Sequence, residues 1–312
     1  MSTDEARHFR VLICIGGGPE AFASLNFAAR LSSRSCADVA LLYVRPLDSG
    51  LKSGGMEVRV ARENMLDWGL ELPGLRHLKA ARDILIGLGQ IREGGGAPWE
   101  HRNLSGDDAG EYVRDYANPC GGLISLRLRT AADVTTAVVD EARAFGADVI
   151  IVGGSERPRS GLMKWLSAKP LSLRIAAHAH CPVIVARKME AGRGHLVCVE
   201  DTATSRAALP GAIRFATACG CDVFLLSVAE DEAGLGSARR AVDEAAEAFR
   251  KAGVEPRSLR VETGDPVEAI TRIGASHSVI VLGESEKPWF AKGFSVAHEV
   301  AARASTSVLI LR

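Results

Sequence analysis

The sequence predicts an α/β protein built from two tandem doubly wound domains. A plan of apolar strand, polar turn, amphipathic helix and second apolar strand occurs twice in the 312 residues, from Val11 and again from His195. Each copy ends with a strand–glycine turn, ADVIIVGG or HSVIVLGE, and a last apolar strand, CPVIVAR or TSVLILR. Because an internal repeat sets both the fold and the domain count, we expect one domain at 1–190 and another at 191–312.

The elements of the first half follow from the spacing of its apolar residues. Residues 11–15 form a continuous apolar run, which is typical of a parallel strand covered on both faces. A glycine-rich turn follows, and apolar residues then recur at helical spacing before a second strand at 39–44. Strands that alternate with helices indicate right-handed βαβ units and a doubly wound sheet.

The second half repeats this order, with a strand at 196–199, apolar residues at helical spacing between 209 and 216, and a strand at 223–228. In doubly wound sheets, ligands bind at the carboxyl ends of the strands, near the point where the strand order reverses. We therefore expect any site at four turns, which follow Ile15, Ile151, Val199 and Val281.

The first half is longer than the second, and most of its extra residues form an insertion at about 46–129. The insertion contains a helical stretch at 75–91 and then a segment rich in glycine, polar and aromatic residues. A long loop inside a compact domain is usually functional or disordered. The segment is therefore interpreted as a lid, as a partner-binding surface or as a surface excursion without a role.

The overall charge excludes strong general attraction to polyanions, because Lys+Arg and Asp+Glu both number 38. We therefore expect no nucleic-acid partner and no anionic membrane surface as a partner. The sequence has no apolar run long enough to span a bilayer, and its polar N-terminus lacks a signal-peptide core. These features predict a cytoplasmic location.

The seven cysteines are typical of a cytoplasmic protein. Cys14 and Cys198 occupy equivalent positions in the two first strands and are interpreted as buried small hydrophobic residues. Cys219 and Cys221 form a single CxC pair, which is a weak metal signal without a second pair, so a structural role is preferred and no metal site is predicted. Three further possible ligands are interpreted as part of a helix-to-strand connection: His178, His180 and Cys181.

The sequence contains no G-x-S-x-G elbow, no H-E-x-x-H motif and no G-x-x-x-x-G-K-[ST] loop. No histidine has a partner at a spacing that would form a catalytic dyad. We therefore predict no catalytic residues, and an enzymatic activity is not favoured.

The segments GADVIIVGG, RSGL, AHAHCPVIV and GDPVEAI, taken as an ordered set, resemble the universal stress protein family in its tandem form. The resemblance implies a Rossmann-like fold of the adenine nucleotide alpha hydrolase type, with a five-stranded parallel sheet in each domain. It also implies pairing through the last strand. In a tandem chain this pairing becomes an internal pseudo-dimer through 183–185 and 308–311, with a further homodimer left open.

Many members of this family bind ATP, with an aspartate after the first strand and a G-x2-G-x9-G-S/T segment after the fourth. Glycines there let the backbone N–H groups approach the phosphates. In the first half, a glycine stands at the aspartate position and the closing glycine of the later segment is missing, although its cationic side chains suit an anion. The candidate residues of this half are Gly16, Gly17, Gly153, Arg157, Arg159, Ser160 and Gly161.

In the second half, Glu200 replaces the aspartate, and the later segment is shorter. Glu284 and Glu286 would face a polyphosphate there, which is unfavourable by on the order of a few kcal/mol. The candidate residues of this half are Glu200, Gly283, Gly293 and Ser295.

The leading hypothesis is a non-enzymatic stress-response or regulatory module that acts through an unknown protein partner, with a degenerate or absent ATP site. In that case Gly153 and Gly283 only turn the chain after a strand. The alternatives are a switch that binds ATP or another adenine nucleotide in one domain, the first being favoured, and a slow nucleotide hydrolase of the same fold. No cofactor is assigned with certainty.

Overall fold

The computed structural model describes residues 8–16, 19–46, 74–104, 107–154, 170–187, 192–284 and 295–312. The chain forms two compact units, Met1–Gly153 and Gly154–Arg312, each with an α/β fold. Within the ranges just given, no helix is both long and apolar enough to cross a membrane.

The N-terminal unit carries a sheet whose strand order is β6-β1-β2-β5-β4-β3, parallel from β6 to β5 and antiparallel from β5 to β3. Its elements are β1 (Arg10–Cys14), α1 (Pro19–Ser35), β2 (Asp38–Pro46), α2 (Leu75–Gly87), β3 (Glu100–Leu104), β4 (Asp107–Ala117), β5 (Leu123–Ala131), α3 (Val134–Phe145) and β6 (Val149–Gly153).

The described part of the insertion differs from the expected loop. The helical stretch at 75–91 is confirmed as α2, which ends at Gly87, but the segment after it forms the hairpin β3–β4. The strand β5 begins inside the range 46–129, but it belongs to the plan that both halves share, because it pairs with β2 in parallel orientation. Charged residues hid these strands in the sequence, since Glu111 in β4 and Arg127 in β5 are buried and so break the apolar pattern.

The C-terminal unit has the strand order β10-β9-β8-β11-β12-β7, with parallel pairing from β10 to β12. These strands agree with the expected five-stranded parallel sheet. Its elements are α4 (Leu171–His178), β7 (Val183–Ala186), β8 (His195–Cys198), α5 (Ala203–Cys219), β9 (Val223–Ala229), α6 (Leu235–Lys251), β10 (Ser258–Thr263), α7 (Pro266–Gly274), β11 (Val279–Gly283), α8 (Val296–Arg303) and β12 (Ser307–Leu311).

The strand β7 pairs with β12 in antiparallel orientation, with Ile184 opposite Leu309. For this reason the division between the units falls at Gly153–Gly154, whereas the repeat in the sequence led us to expect it near residue 190. The internal pseudo-dimer through the last strands stays a prediction.

Apolar strands and capped helices explain why the C-terminal unit folds as it does. The sequence of β11, VIVLG, is almost fully buried, as expected for a parallel strand covered on both faces. Side chains that accept backbone N–H groups begin three of the helices: Thr202 at α5, Asp265 at α7 and Ser295 at α8. The chain runs from β8 outward through β9 to β10, then returns to β11 on the other side of β8. The order therefore reverses between β8 and β11, and this reversal creates a crevice at their carboxyl ends.

Candidate functional site

A pocket of about 450 Å³ occupies this crevice in the C-terminal unit. It is lined by the ends of β8, β9 and β11 and by the first turns of α5, α7 and α8. The described lining residues are Cys198, Val199, Glu200, Thr202, Thr204, Ser205, Leu226, Val228, Glu230, Pro266, Ile270, Leu282, Gly283, Glu284, Ser295, Val296 and Ala297.

The pocket combines an apolar wall with a group of carboxylates. Val199, Leu226 and Ile270 supply part of the apolar surface. Three carboxylates line the same space: Glu200, Glu230 and Glu284. None of the described lining residues is lysine or arginine, so the pocket carries a negative charge from its own side chains.

Glu200 lies directly after β8, where the chain turns into α5. Its backbone N–H donates to Ser205 Oγ at 2.9 Å, which fixes the turn. Its side chain keeps an exposed surface, yet the adjoining protein removes water from one side of it. This desolvation, together with the Glu230 carboxylate, raises the pKa of Glu200 above its ordinary value.

The N-terminus of α5 is capped by Thr202, whose Oγ1 accepts from the backbone N–H of Ser205 at 3.1 Å. Asp201, by contrast, is held by groups outside the pocket lining. Its Oδ2 accepts from Ser237 Oγ at 2.7 Å and from Arg240 Nη2 at 3.1 Å, and Arg206 contacts its other oxygen. These partners lower the pKa of Asp201 and keep it as a link between the turn and α6.

A second helix N-terminus opens on the pocket at α8. Ser295 caps this helix, because its Oγ accepts from the backbone N–H of His298 at 3.4 Å and lies 2.8 Å from His298 Nδ1. The backbone N–H groups of Val296 and Ala297 belong to the first turn of α8, where an anion is stabilised.

Glu284 is already paired with a cation, since its Oε2 lies 3.1 Å from Arg312 Nη1. Its backbone N–H donates to Leu311 O at 2.9 Å, so this carboxylate is tied to the last strand. The positive charge of Arg312 is therefore offset before any ligand binds.

Gly283 has a packing role at the end of β11. A Cβ at this position would lie 3.2 Å from the Cβ of Ala208 in α5, which is closer than side-chain atoms normally approach. The glycine therefore lets α5 pack closely against β11.

The structure brings three predicted candidates together in this pocket: Glu200, Gly283 and Ser295. In the N-terminal unit, Gly16 is exposed after β1, and apart from its chain neighbours no atom of the described residues lies within 4 Å of where its Cβ would be, while Gly153 ends β6. The other candidates lie outside the described residues: Gly17, Arg157, Arg159, Ser160, Gly161 and Gly293.

Sequence reasoning missed Glu230 and misjudged Cys198. Glu230 follows β9 directly, and the rule that ligands bind at strand ends could have singled it out. Cys198 was expected to be a buried small residue, but it is half-buried and lines the pocket. Desolvation, with a smaller effect of the Glu200 charge, raises its pKa, so it is present as a neutral thiol.

The family model described as the Universal stress protein family matches residues 195–312, the part of the chain that holds the pocket. This part is a universal stress protein domain. No curated protein matches the chain.

Three solved structures resemble the universal stress protein domain together with the N-terminal unit. The first is a universal stress protein from Archaeoglobus fulgidus DSM 4304, 14% identical, with a TM-score of 0.57 over 97% of this chain and 96% of that chain. The second is a putative universal stress protein from Pseudomonas aeruginosa UCBPP-PA14, 14% identical, with a TM-score of 0.56 over 97% and 92%. The third is the cytoplasmic domain of a prokaryotic cation chloride cotransporter, 12% identical, with a TM-score of 0.50 over 97% and 95%. At these identities the likeness establishes the α/β fold of both units.

Proposed function

We propose that this chain is a cytoplasmic, non-enzymatic regulatory module whose universal stress protein domain binds an adenine nucleotide with few phosphates. The observation that carries the proposal is the crevice between β8 and β11. Its volume of about 450 Å³ lies within the range of small-molecule sites, roughly 300 to 1,000 Å³. An apolar wall with a few polar groups is also the usual composition of such sites.

The lining suggests how a nucleoside would bind. The base would lie against Val199, Leu226 and Ile270, which bury apolar surface. Glu200 would accept hydrogen bonds from the ribose hydroxyl groups, because an ionised carboxylate is an acceptor only. One phosphate would face the N-terminus of α8, where Val296 and Ala297 supply backbone N–H groups.

The charges of the pocket favour a nucleotide with a single phosphate over a triphosphate. Each added phosphate brings more negative charge near Glu200 and Glu230, whereas Glu284 is paired with Arg312, and no described lining residue supplies a cation. Repulsion between like charges in a partly desolvated site lowers affinity. We therefore infer that AMP binds more tightly than ATP.

Isothermal titration calorimetry with adenosine, AMP and ATP tests this function. We expect AMP to bind more tightly than ATP, and Glu200→Gln to weaken AMP by about tenfold or more, because a hydrogen bond to a charged group contributes about 1.5–3 kcal/mol. Glu232→Gln is the matched control, since Glu232 is exposed in the short 3₁₀ turn before α6 and does not line the pocket.

The pH dependence gives a second readout with adenosine, which has no titrating phosphate. The pKa of Glu200 is raised, so its ionised fraction increases as the pH rises through that value. Adenosine affinity should increase over the same interval and become independent of pH in Glu200→Gln. Tighter binding of ATP than of AMP, or an unchanged AMP affinity in Glu200→Gln, would contradict the proposal.

The regulatory role and the partner are part of the same proposal. An unidentified protein partner would recognise either the nucleotide-bound or the nucleotide-free form of the chain. This requires that the partner bind the two forms with different affinities. The antiparallel contact of β7 with β12 supports internal pairing through the last strands. Steady ATP turnover by the purified protein alone would instead favour the slow hydrolase.

A further inference from the structure

Two cysteine side chains of the N-terminal unit meet where the strands β2 and β5 begin. Cys36 lies between α1 and β2, and Cys120 lies in the turn between β4 and β5. Gly122 lets this turn come close, because a Cβ there would lie 2.7 Å from Cys36 O. Cys36 is half-buried and Cys120 is exposed, so dissolved reagents reach the pair. Neither takes part in a disulfide, unlike Cys219 and Cys221, which the structure joins to each other.

The side chain of Cys36 contacts Cys120 at two places. Its Sγ donates to Cys120 O at 3.0 Å, and it also hydrogen-bonds with the Cys120 side chain. This second bond, with smaller effects of desolvation and of the Cys120 charge, raises the pKa of the Cys36 thiol. Cys36 therefore keeps its proton beside an ionised Cys120, and the exposed Cys120 sulfur is the one that reacts first, since the thiolate is the nucleophile.

Hydrogen bonds on both sides hold the β4–β5 turn against the end of α1. Before the turn, Asn118 Nδ2 donates to Gln90 Oε1 at 3.0 Å, and Gln90 Nε2 donates to Ser33 Oγ in α1 at 3.0 Å. After the turn, the backbone N–H of Leu123 donates to Asp38 Oδ1 at 2.9 Å. Because the folded chain already holds the two thiols together, a bond between them requires little further ordering.

Cys36 also stands at a position where the backbone favours glycine. Its φ is 50°, and among the residues that the structure describes it is the one non-glycine residue with a positive φ. The equivalent turn of the C-terminal unit, after α5, has Gly220 with φ 58°. A side chain is disfavoured in this left-handed region. The thiol is therefore present at a cost in stability, which points to a use of the side chain.

We propose that Cys36 and Cys120 form a redox-responsive modification site, at which a hydroperoxide produces a disulfide that joins the β4–β5 turn to the end of α1. The Cys120 thiolate attacks one oxygen of the hydroperoxide and becomes a sulfenic acid. The O–O bond breaks, and the other oxygen leaves with the electron pair and takes up the proton that the Cys120 thiol had released.

The second step closes the disulfide. The Cys36 sulfur attacks the Cys120 sulfur, the S–O bond breaks, and the departing hydroxide combines with the Cys36 proton to form water. The two thiols lose two electrons and the hydroperoxide gains two. This site does not depend on the proposed binding of a nucleotide.

The other thiols of the described chain are less reactive, which makes the site selective. Burial raises the pKa of Cys14 to about 12 and also raises the pKa of Cys198. Cys181 is buried. Protonated or buried thiols react slowly with oxidants, because the thiolate is the reactive form.

Peptide mapping tests the site. The reduced protein is treated with a stoichiometric amount of hydrogen peroxide, alkylated, digested and analysed by mass spectrometry. We expect the peptides of Cys36 and Cys120 to be linked, and a dithiol reductant to release both thiols again.

Cys36→Gly is the decisive variant, because it introduces the residue of the equivalent turn and should keep the fold, as circular dichroism checks. Without the second thiol, the sulfenic acid on Cys120 should accumulate to at least about tenfold the wild-type level, measured by dimedone trapping. Cys14→Ser is the matched control and should leave the linkage unchanged. Absence of the linked peptides in the wild type, or equal trapping at Cys120 in the wild type and Cys36→Gly, would overturn the assignment.

Discussion

The strands β5 and β10 occupy equivalent places in the two units but have opposite surroundings. In the register of the N-terminal sheet, Arg127 of β5 lies opposite Leu42 of β2, which lies opposite Cys14 of β1. In the C-terminal sheet, Arg260 of β10 lies opposite Leu226 of β9, which lies opposite Cys198 of β8. The side chain of Arg127 is 10% exposed, whereas that of Arg260 is 48% exposed.

The insertion explains this difference, because its strand β4 pairs with β5 on the side where β10 has no described neighbour. Because β4 covers β5, the buried positive charge of Arg127 needs a partner. Its guanidinium contacts Glu141 and lies over the Phe145 ring, 4.9 Å from the ring centroid. Arg260 is exposed, and its pairing with Glu262 at 2.8 Å stays in contact with water. The comparison teaches that an added hairpin converts a solvated edge strand into a central strand, in which each charge needs a partner.

The largest effect is expected from removing the buried cation. Arg127→Met leaves the carboxyl group of Glu141 buried without its nearest cation. The guanidinium of Arg129 lies farther from it, at 3.9 Å, and compensates its charge less well. The free energy of unfolding should fall by about 3–5 kcal/mol. The same substitution in the other unit, Arg260→Met, should lower it by less than about 1 kcal/mol. Urea denaturation measures both, and similar losses for the two variants would show that covering the strand does not matter.

The next effect concerns Glu111 in β4, which faces Glu141 and the cations Arg127 and Arg102. Desolvation, with repulsion from Glu141, raises the pKa of Glu111 to about 7. The folded protein therefore binds a proton that the unfolded chain releases, and this contribution to stability is lost as the pH rises through about 7.

Glu111→Gln, which stays neutral, should unfold with less pH dependence between pH 5 and pH 8. At the upper end it should be more stable than the wild type by on the order of 2–3 kcal/mol. Denaturation curves across this interval measure the difference. Parallel pH profiles for the two proteins would mean that Glu111 keeps an ordinary pKa.

The smallest effect concerns a feature that the two units share. Asp133 begins α3 by accepting from the backbone N–H groups of Thr135 and Thr136 at 2.6 and 3.2 Å, and Asp265 begins α7 by accepting from Glu268 at 2.8 Å. Asp133→Ala and Asp265→Ala should each lower the free energy of unfolding by about 1 kcal/mol. A large loss in only one variant would show that the two caps are not equivalent.

Much of the fold was predictable because it depends on local patterns. The apolar run of β1 and the helical spacing of α5 are visible in single segments, and the repeat shows that they occur twice. The hairpin β3–β4 was not predictable, because its buried Glu111 has the sequence signature of an exposed loop. The cations that favour its charged form, Arg127 in β5 and Arg102 in β3, come from other strands and are not evident from the local sequence.

The candidate site divides in the same way. Glu200, Gly283 and Ser295 were candidates because of the family resemblance, and the rule that ligands bind at strand ends indicated the turns after Val199 and Val281. The third carboxylate, Glu230, and the contact of Cys36 with Cys120 came from the tertiary structure. The sequence by itself determined the apolar strands of the repeat, the helices between them and the strand ends at which the pocket lies, since these depend on neighbours along the chain. The partners of each charge and thiol depend on residues far apart in the chain, so only the packed structure decided them.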